Sequence, residues 1–170
     1  YTIRAVMHLA RNSSRYQVLL VTTAPPFLSV IAYFANIFFN LPYVCLLYDL
    51  YPDIAVELEV VRGNHPIAKA WRSLNRKIWQ RSAGIVVLSD SMRGRIVDQC
   101  PQVAEKISVI HSWSDDKRIV PIAKQDNYFA REHDLVDSFV VMYSGNMGRC
   151  HDIDTLFEAA CLLKDEPILF

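Results

Sequence analysis

The residues best suited to chemistry lie in one stretch near the carboxyl end of the chain. Phe139–Tyr143 is apolar, Ser144–Arg149 carries two glycines and an arginine, and a helical pattern starts near Asp154. Gly145 and Gly148 have no Cβ, so they can take positive φ and let a ligand approach the backbone closely. The free N–H groups at a helix start attract anions, and a neighbouring guanidinium adds further donors. The stretch therefore predicts a phosphate-binding turn.

The pattern alone leaves a second interpretation of this turn open. Gly145 and Gly148 are too closely spaced for a dinucleotide fingerprint, and no Gly-Lys-Ser/Thr follows them. An ordinary strand-to-helix turn of an α/β domain explains the same residues. Asp154 or Thr155 is the expected cap of the helix, because Thr155 and Glu158 have the spacing of a capping box.

Two acidic residues and a histidine follow other predicted strands. Asp49 and Asp53 come after the apolar run Tyr43–Tyr48, and His111 comes after Ile107–Ile110. Ligands of parallel α/β sheets bind just beyond the carboxyl ends of the strands, so these side chains are candidates for a binding cleft. A turn, cap or other structural role is the alternative for each of them.

A basic amphipathic helix is predicted at Pro66–Arg81. Its apolar positions recur at helical spacing, and it carries Trp71 and Trp79. The cations assigned to a membrane-facing side are Lys69, Arg72, Arg76 and Lys77. Cations and tryptophans on one helix suit an anionic membrane surface. A solvated helix that packs on the sheet is the other interpretation.

Strand-like and helix-like segments alternate along the chain, which predicts an α/β fold with parallel sheets. The predicted strands are Gln17–Thr22, Tyr43–Tyr48, Gly84–Leu88, Ile107–Ile110 and a buried strand that begins at Phe139. The predicted helices are Thr2–Arg11, Phe27–Phe39, Pro66–Arg81, a helix capped near Ser89 that runs to about Gln99, and one that ends near Lys164. Gln17–Thr22 is expected to be buried on both faces. Phe27–Phe39 is expected to be a buried helix, because prolines and asparagines interrupt its apolar run before membrane-spanning length.

Composition narrows the class of protein. The chain has 170 residues, is 52% hydrophobic and has a formal net charge of zero, so bulk charge gives no reason to expect a nucleic-acid partner. The cysteines are Cys45, Cys100, Cys150 and Cys161. They show no Cys-x-x-Cys spacing, which predicts reduced cytosolic thiols and no metal site. Both ends look cut, because the chain has no initiator methionine and stops in what looks like a new strand.

Four stretches, taken in order, resemble glycosyltransferase family 4. The match is closest to the bacterial enzymes of surface-polysaccharide assembly. The four are Thr22–Pro26 with the helix after it, Leu47–Asp53, Val86–Met92 with Ile107–Ile110, and Val141–Gly148. Two segments of the family are missing, the glycine-rich loop after the first acceptor-domain strand and the Glu-x7-Glu segment that grips the donor. His111 and Ser112 also stand where Pro-Asn is common.

The resemblance implies a fragment of a GT-B-type enzyme, which has two domains with Rossmann-like parallel sheets and helices on both faces. Residues 1–115 would be the acceptor-side domain, 116–138 a linker and 139–170 the start of the donor-side domain. The polar composition of Ser114–Ser138 makes that region the best boundary on composition alone.

The resemblance also implies transfer of a sugar, with retention, from a nucleotide-sugar to a saccharide or polyprenyl-linked acceptor. No metal or other cofactor is expected. The residues that would face the donor diphosphate are Gly145, Asn146, Gly148 and Arg149. Asp49 would lie in the cleft near the acceptor or the transferred sugar, and the catalytic residue stays unassigned. The implied location is the cytoplasm, either free or at the inner face of the cytoplasmic membrane.

Two other functions are compatible with the sequence. One is a nucleotide-sugar epimerase of the same architecture, and the other is a non-catalytic nucleotide-binding fragment. We expect these 170 residues alone to be inactive, because the donor-gripping segment of the family is missing.

Overall fold

The computed structural model describes residues 2–148 and 151–170, and the chain divides into two compact units. The first unit is Tyr1–Trp113 and the second is Ser114–Phe170. The segment 116–138, predicted to be a linker, belongs to the second unit. The assignment of the units to the acceptor and donor sides stays a prediction.

The first unit is built on four parallel strands. They are β1 (Leu19–Thr22), β2 (Tyr43–Leu47), β3 (Gly84–Val87) and β4 (Ile107–Val109). The helices are α1 (Thr2–Asn12), α2 (Leu28–Phe39), α3 (Asp53–Glu57), α4 (Pro66–Arg81) and α5 (Asp90–Gln99), with 3-10 turns at Ser13–Arg15 and Pro101–Lys106. The predicted α/β class, with a parallel sheet flanked by helices, is confirmed.

The strands lie in the sheet in the order in which they occur along the chain, β1-β2-β3-β4. Leu19 pairs with Tyr43, and Ile85 pairs with both Cys45 and Ile107. Because all four strands run in the same direction, their carboxyl ends meet at one edge of the sheet. That edge is where the loops carrying Asp49 and His111 begin.

The core of the first unit lies against one face of the sheet. Tyr43, Cys45 and Leu47 are buried along β2, and the residues between them are only half-buried. Leu20 of β1 is 67% exposed, so the prediction that the first strand is buried on both faces is wrong. Successive side chains of a strand point to opposite faces, and a continuous apolar run does not reveal which face is covered.

Helix α2 packs through small residues and exposes large ones. Ser29, Ala32 and Ala35 are buried, whereas Phe34 is 48% and Phe38 is 72% exposed. The prediction of a buried helix is therefore wrong for its outer side. Among the residues that the structure describes, no helix combines the length and the apolar character needed to cross a membrane.

The second unit is small. Its elements are α6 (Tyr128–Glu132), β5 (Phe139–Val140), α7 (Ile153–Leu162) and β6 (Ile168–Leu169), and the two strands pair in parallel. Phe139 is 66% exposed, so the prediction of a buried strand at this position is wrong. In a two-residue strand that has one partner, little of the side-chain surface is covered.

Candidate functional site

The carboxyl edge of the four-stranded sheet is organised by one buried hydroxyl group. Thr23 follows β1 and is 9% exposed. Its Oγ1 accepts hydrogen bonds from the backbone N–H groups of Tyr48 at 3.1 Å and Asp49 at 3.2 Å. These two bonds join the end of β1 to the end of β2 and hold the half-buried Asp49 at the edge of the sheet.

A small polar cavity lies beside this junction. Its volume is about 20 Å³, and its polar lining includes Thr23, Ser29, Asp49 and Asn75. Asn75 Nδ2 donates to the Tyr51 carbonyl oxygen at 2.6 Å, which fixes the loop after β2 against α4. A cavity of this size holds about one water molecule and no sugar ring. A saccharide that reached Asp49 would therefore lie above the carboxyl edge of the sheet and not inside the cavity.

Asp53, the second acidic candidate, is bonded within the protein. Its Oδ1 lies 3.1 Å from Arg72 Nε, and its Oδ2 accepts from Gln99 Nε2 at 2.7 Å. Arg72 also donates to the Gly63 carbonyl oxygen at 2.9 Å. The contacts favour the structural interpretation of Asp53, which ties α3 to α4 and α5. They also engage Arg72, one of the four cations assigned to a membrane surface.

The tryptophans of α4 pack inside the first unit. The Trp71 ring stacks on Phe27, with centroids 5.4 Å apart, and on Tyr51 at 5.8 Å. Trp79 is 5% exposed and belongs to the core. The exposed cations of α4 are Lys69, Arg76, Lys77 and Arg81. The helix is as predicted, but its polar side presents cations without the tryptophans.

His111 joins the ends of two strands. Its Nδ1 lies 2.9 Å from the Leu88 carbonyl oxygen. A carbonyl can only accept, so Nδ1 carries the proton and donates it. The contact fixes the loop after β4 to the loop after β3, in agreement with the structural interpretation of this histidine.

In the second unit, the glycine turn closes on a single carbonyl group. The Asn146 oxygen accepts from Gly148 N at 2.9 Å and from the Tyr143 hydroxyl group at 3.0 Å. His151 Nδ1 lies 2.5 Å from the same oxygen. The Gly148 N–H group is thus already bonded within the turn. Arg149, predicted to contact the diphosphate, lies outside the described residues.

Gly145 and Gly148 do not serve to give the turn a positive φ angle. No glycine among the described residues has a positive φ. A Cβ added at Gly145 would lie 3.2 Å from the Tyr143 hydroxyl oxygen, whereas one added at Gly148 would meet no atom within 4 Å. Gly145 therefore leaves room for the tyrosine that closes the turn.

The start of α7 is capped by a residue that sequence analysis did not select. Asp152 Oδ1 accepts from the Thr155 N–H group at 3.1 Å, and its Oδ2 accepts from Thr155 Oγ1 at 2.7 Å. These hydrogen bonds lower the pKa of the Asp152 carboxyl group. The predicted cap at Asp154 or Thr155 is wrong, although the Asp-x-x-Thr spacing was visible in the sequence. Because a carboxylate already meets the helix start, a diphosphate here would depend on the turn and on Arg149.

The cysteines of the described residues are free thiols, as predicted. Cys45 and Cys100 are buried and Cys161 is exposed. Burial raises the pKa of the Cys45 thiol to about 12, so it stays protonated and unreactive at neutral pH. Within residues 2–148 and 151–170, His, Cys, Asp and Glu side chains form no cluster of three that could hold a metal ion.

A parallel four-stranded sheet flanked by helices is consistent with the Rossmann-like class, in which ligands bind at the carboxyl edge of the sheet. In sequence, the chain is similar to bacterial glycosyltransferases. It is 22% identical to "Probable glycosyltransferase WbjE" of Pseudomonas aeruginosa over 162 residues, which are 95% of this chain and 40% of that protein. It is 30% identical to "Putative colanic acid biosynthesis glycosyl transferase WcaI" of Escherichia coli strain K12 over 88 residues, which are 51% of this chain and 21% of that protein. No protein-family model matches the chain.

These similarities confirm the predicted resemblance at the level of glycosyltransferases. The chain spans at most 40% of the length of these two curated relatives.

Proposed function

We propose that this chain is part of a retaining glycosyltransferase of family 4 that acts in bacterial surface-polysaccharide biosynthesis. It would transfer a sugar from a nucleotide-sugar to a saccharide or polyprenyl-linked acceptor. The similarity to "Probable glycosyltransferase WbjE" over 95% of the chain carries this proposal. The second relative is named for colanic acid biosynthesis, which supports a polysaccharide product.

In the proposed reaction, the bond between the anomeric carbon and the diphosphate oxygen breaks. The oxygen of an acceptor hydroxyl group forms the new bond to that carbon on the same face of the sugar, and its proton passes to the departing diphosphate oxygen. The nucleoside diphosphate leaves with the bonding electrons. Basic side chains and backbone N–H groups would stabilise the negative charge that develops on it, without a metal ion or other cofactor.

On the donor side, the proposed contacts are Gly145, Asn146, Gly148 and Arg149. The Gly148 N–H group is bonded to the Asn146 carbonyl oxygen, so a diphosphate would have to displace that bond to use it. Asp152 caps α7 and places a negative charge at the start of the helix, which repels a diphosphate. We therefore assign the main charged contact to Arg149.

On the acceptor side, we propose that Asp49 faces the saccharide. Support comes from the two backbone hydrogen bonds to Thr23 that hold it at the carboxyl edge of the sheet. For the membrane, we keep the exposed cations Lys69, Arg76 and Lys77 as contacts and remove Arg72, which is paired with Asp53. Each cation near an anionic surface contributes about 1 kcal/mol. The proposed location is the cytoplasmic face of the membrane.

A donor screen by mass spectrometry tests this function. The protein at its full natural length is incubated with a panel of nucleotide-sugars and a polyprenyl-linked saccharide. We expect one donor to give a lengthened saccharide and free nucleoside diphosphate. The 170-residue chain serves as the comparison and is expected to give no product. Epimerised nucleotide-sugar without acceptor elongation would contradict the proposal.

Replacing Arg149 tests the proposed donor site directly. We expect Arg149→Ala to weaken nucleoside-diphosphate binding about ten- to a hundredfold, because a hydrogen bond to a charged group contributes about 1.5–3 kcal/mol. Titration calorimetry on the full-length protein measures the affinity, and the melting temperature is recorded in parallel. The matched control is Arg131→Ala on α6, an exposed arginine that precedes the turn in the sequence. A lower melting temperature with unchanged affinity would make Arg149 a structural residue.

A further inference from the structure

Three aromatic side chains, which we call the aromatic stack, meet at the carboxyl edge of the four-stranded sheet. The Trp71 ring of α4 lies nearly parallel to that of Phe27, with planes inclined at 23°, and to that of Tyr51, at 14°. Phe27 follows β1 and Tyr51 follows β2, so both come from loops at the edge that also carries Asp49. The edge proposed to meet a saccharide therefore also carries an aromatic surface.

Phe27 is the exposed member of the aromatic stack. It is 54% exposed, whereas Trp71 and Tyr51 are half-buried. Its carbonyl oxygen accepts from the backbone N–H groups of Val30 at 3.2 Å and Ile31 at 3.4 Å, both in α2. The start of α2 and the Trp71 ring thus hold Phe27 in place. A ligand that stacks on this ring would pay little for ordering it.

An unpaired carboxylate lies beside the aromatic stack. Asp49, Tyr51 and Trp71 line the same small cavity. Asp49 is half-buried, and among the described residues no hydrogen bond or ion pair engages its carboxyl group. Asp53, by contrast, is paired with Arg72. The Asp49 carboxylate is therefore available to accept a hydrogen bond from a ligand.

The geometry of the rings limits the kind of ligand. A cage for an ammonium group needs rings on several sides, and these rings are nearly parallel to one another. An alkyl chain needs an extended apolar groove, whereas the cavity here is about 20 Å³ and has polar groups in its lining. A phosphate would be repelled by Asp49. A flat ring beside a carboxylate suits a neutral ligand that has one apolar face and hydroxyl groups around it.

We propose that Phe27 is the platform on which a pyranose ring of the acceptor saccharide stacks. The C–H bonds on one face of the sugar would meet the negative face of the aromatic ring, and Asp49 would accept a hydrogen bond from a sugar hydroxyl group. Sugars with mostly equatorial hydroxyl groups fit best, because their axial C–H bonds leave one face free of hydroxyl groups. The inference rests on the proposed function for the choice of an acceptor saccharide.

Saturation-transfer NMR on the full-length protein tests this proposal without a nucleotide-sugar. The probe is hexyl β-D-glucopyranoside, which carries a pyranose ring and an alkyl chain in one molecule. Saturation of the aromatic protons of the protein should pass most strongly to the C–H protons on one face of the sugar ring. Strongest transfer to the alkyl chain would overturn the proposal, and so would the absence of any transfer.

Two replacements of Phe27 separate stacking from apolar contact. Leucine keeps an apolar side chain and removes the ring, so we expect Phe27→Leu to weaken binding of the probe about tenfold. Phe27→Tyr keeps the ring and should bind as the wild type does. Melting temperatures recorded in parallel show that each variant is folded. Unchanged binding by a folded Phe27→Leu protein would contradict the proposal.

Phe39→Leu is the matched control. Phe39 is 44% exposed and lies at the other end of α2, about 18 Å along the helix from Phe27. Its replacement removes a comparably exposed ring from the same helix and should leave binding of the probe unchanged. Equal losses in the two leucine variants would mean that the probe binds exposed rings in general and would overturn the proposal.

Enzyme kinetics distinguish a failure of this inference from a failure of the proposed function. If the full-length protein transfers sugar and Phe27→Leu leaves the KM for the acceptor unchanged, the platform is wrong and the proposed function stands. If the protein transfers no sugar from any donor but binds the probe through Phe27, the proposed function fails and the pyranose platform stands.

Discussion

Trp79→Ala is expected to lower the free energy of unfolding of the first unit by about 4 kcal/mol, the range found when a buried tryptophan is truncated. Trp79 is 5% exposed and belongs to the cluster that includes Tyr43 and Ile85. Its removal leaves a cavity that side chains on the rigid sheet cannot fill. Native domains are stable by about 5–15 kcal/mol, so most of the stability of a marginal domain would be lost. Urea unfolding followed by circular dichroism measures the change.

Two variants check the cause of this loss. Trp79→Phe keeps an aromatic ring in the core and should cost less than the alanine variant. Lys77→Ala, two residues earlier on the exposed side of α4, should change stability by less than about 0.5 kcal/mol. A Trp79→Ala protein of unchanged stability that had lost lipid binding would contradict the core role of Trp79 and favour the membrane-surface interpretation of α4.

Thr23→Val is expected to cost about 3 kcal/mol of stability, because it leaves two backbone donors without a partner, each worth about 1–3 kcal/mol. Valine has nearly the shape of threonine, so the change removes the hydroxyl group and little else. The donors are the N–H groups of Tyr48 and Asp49. Urea unfolding again gives the free energy, and titration calorimetry with a saccharide acceptor shows whether Asp49 has also lost its position.

Thr23→Ser is the matched control for the hydroxyl group. It keeps the oxygen that accepts both bonds and loses one methyl group, so it should cost about 1 kcal/mol or less. Similar losses for the serine and valine variants would mean that packing, and not the two hydrogen bonds, makes Thr23 important.

The helices and strands of the first unit were predicted well from the local sequence. The helix Pro66–Arg81 has the same ends in the structure as in the prediction, because a proline starts it and helical spacing runs through it. The four strands of the first unit are present and somewhat shorter than predicted. Ser89 caps α5 as expected, since its side chain accepts from the Met92 N–H group three residues away.

Contacts between distant residues were the part that sequence did not reveal. The partners of the Thr23 hydroxyl group are 25 and 26 residues away, and no local pattern connects them. For Trp71, helical spacing placed the ring on the apolar side but did not reveal the stack with Phe27 and Tyr51. Which alternate residues of a strand are buried depends on which face of the sheet the helices cover. An unbroken apolar run in the sequence does not indicate that face.

The candidate site residues differ in how far the sequence predicted their positions. Asp49 lies at the carboxyl edge of the sheet as predicted, because it directly follows an apolar strand, and its binding role stays a prediction. The diphosphate role of Gly145, Asn146, Gly148 and Arg149 came from resemblance and stays a prediction. Asp152 was missed because a better-known capping pattern, Thr155 to Glu158, overlaps it one turn later.

The strand order also ranks the strands by how readily each one opens to solvent. Strands β2 and β3 have hydrogen-bonded neighbours on both sides, whereas β1 and β4 each have one neighbour among the described strands. Releasing an outer strand breaks one ladder, but releasing β2 or β3 breaks two and exposes the buried face around Tyr43. Local fluctuations therefore begin at the outer strands. The amide protons of β2 and β3 exchange only when nearly the whole unit comes apart, so the loop that carries Asp49 starts from one of the two most persistent strands.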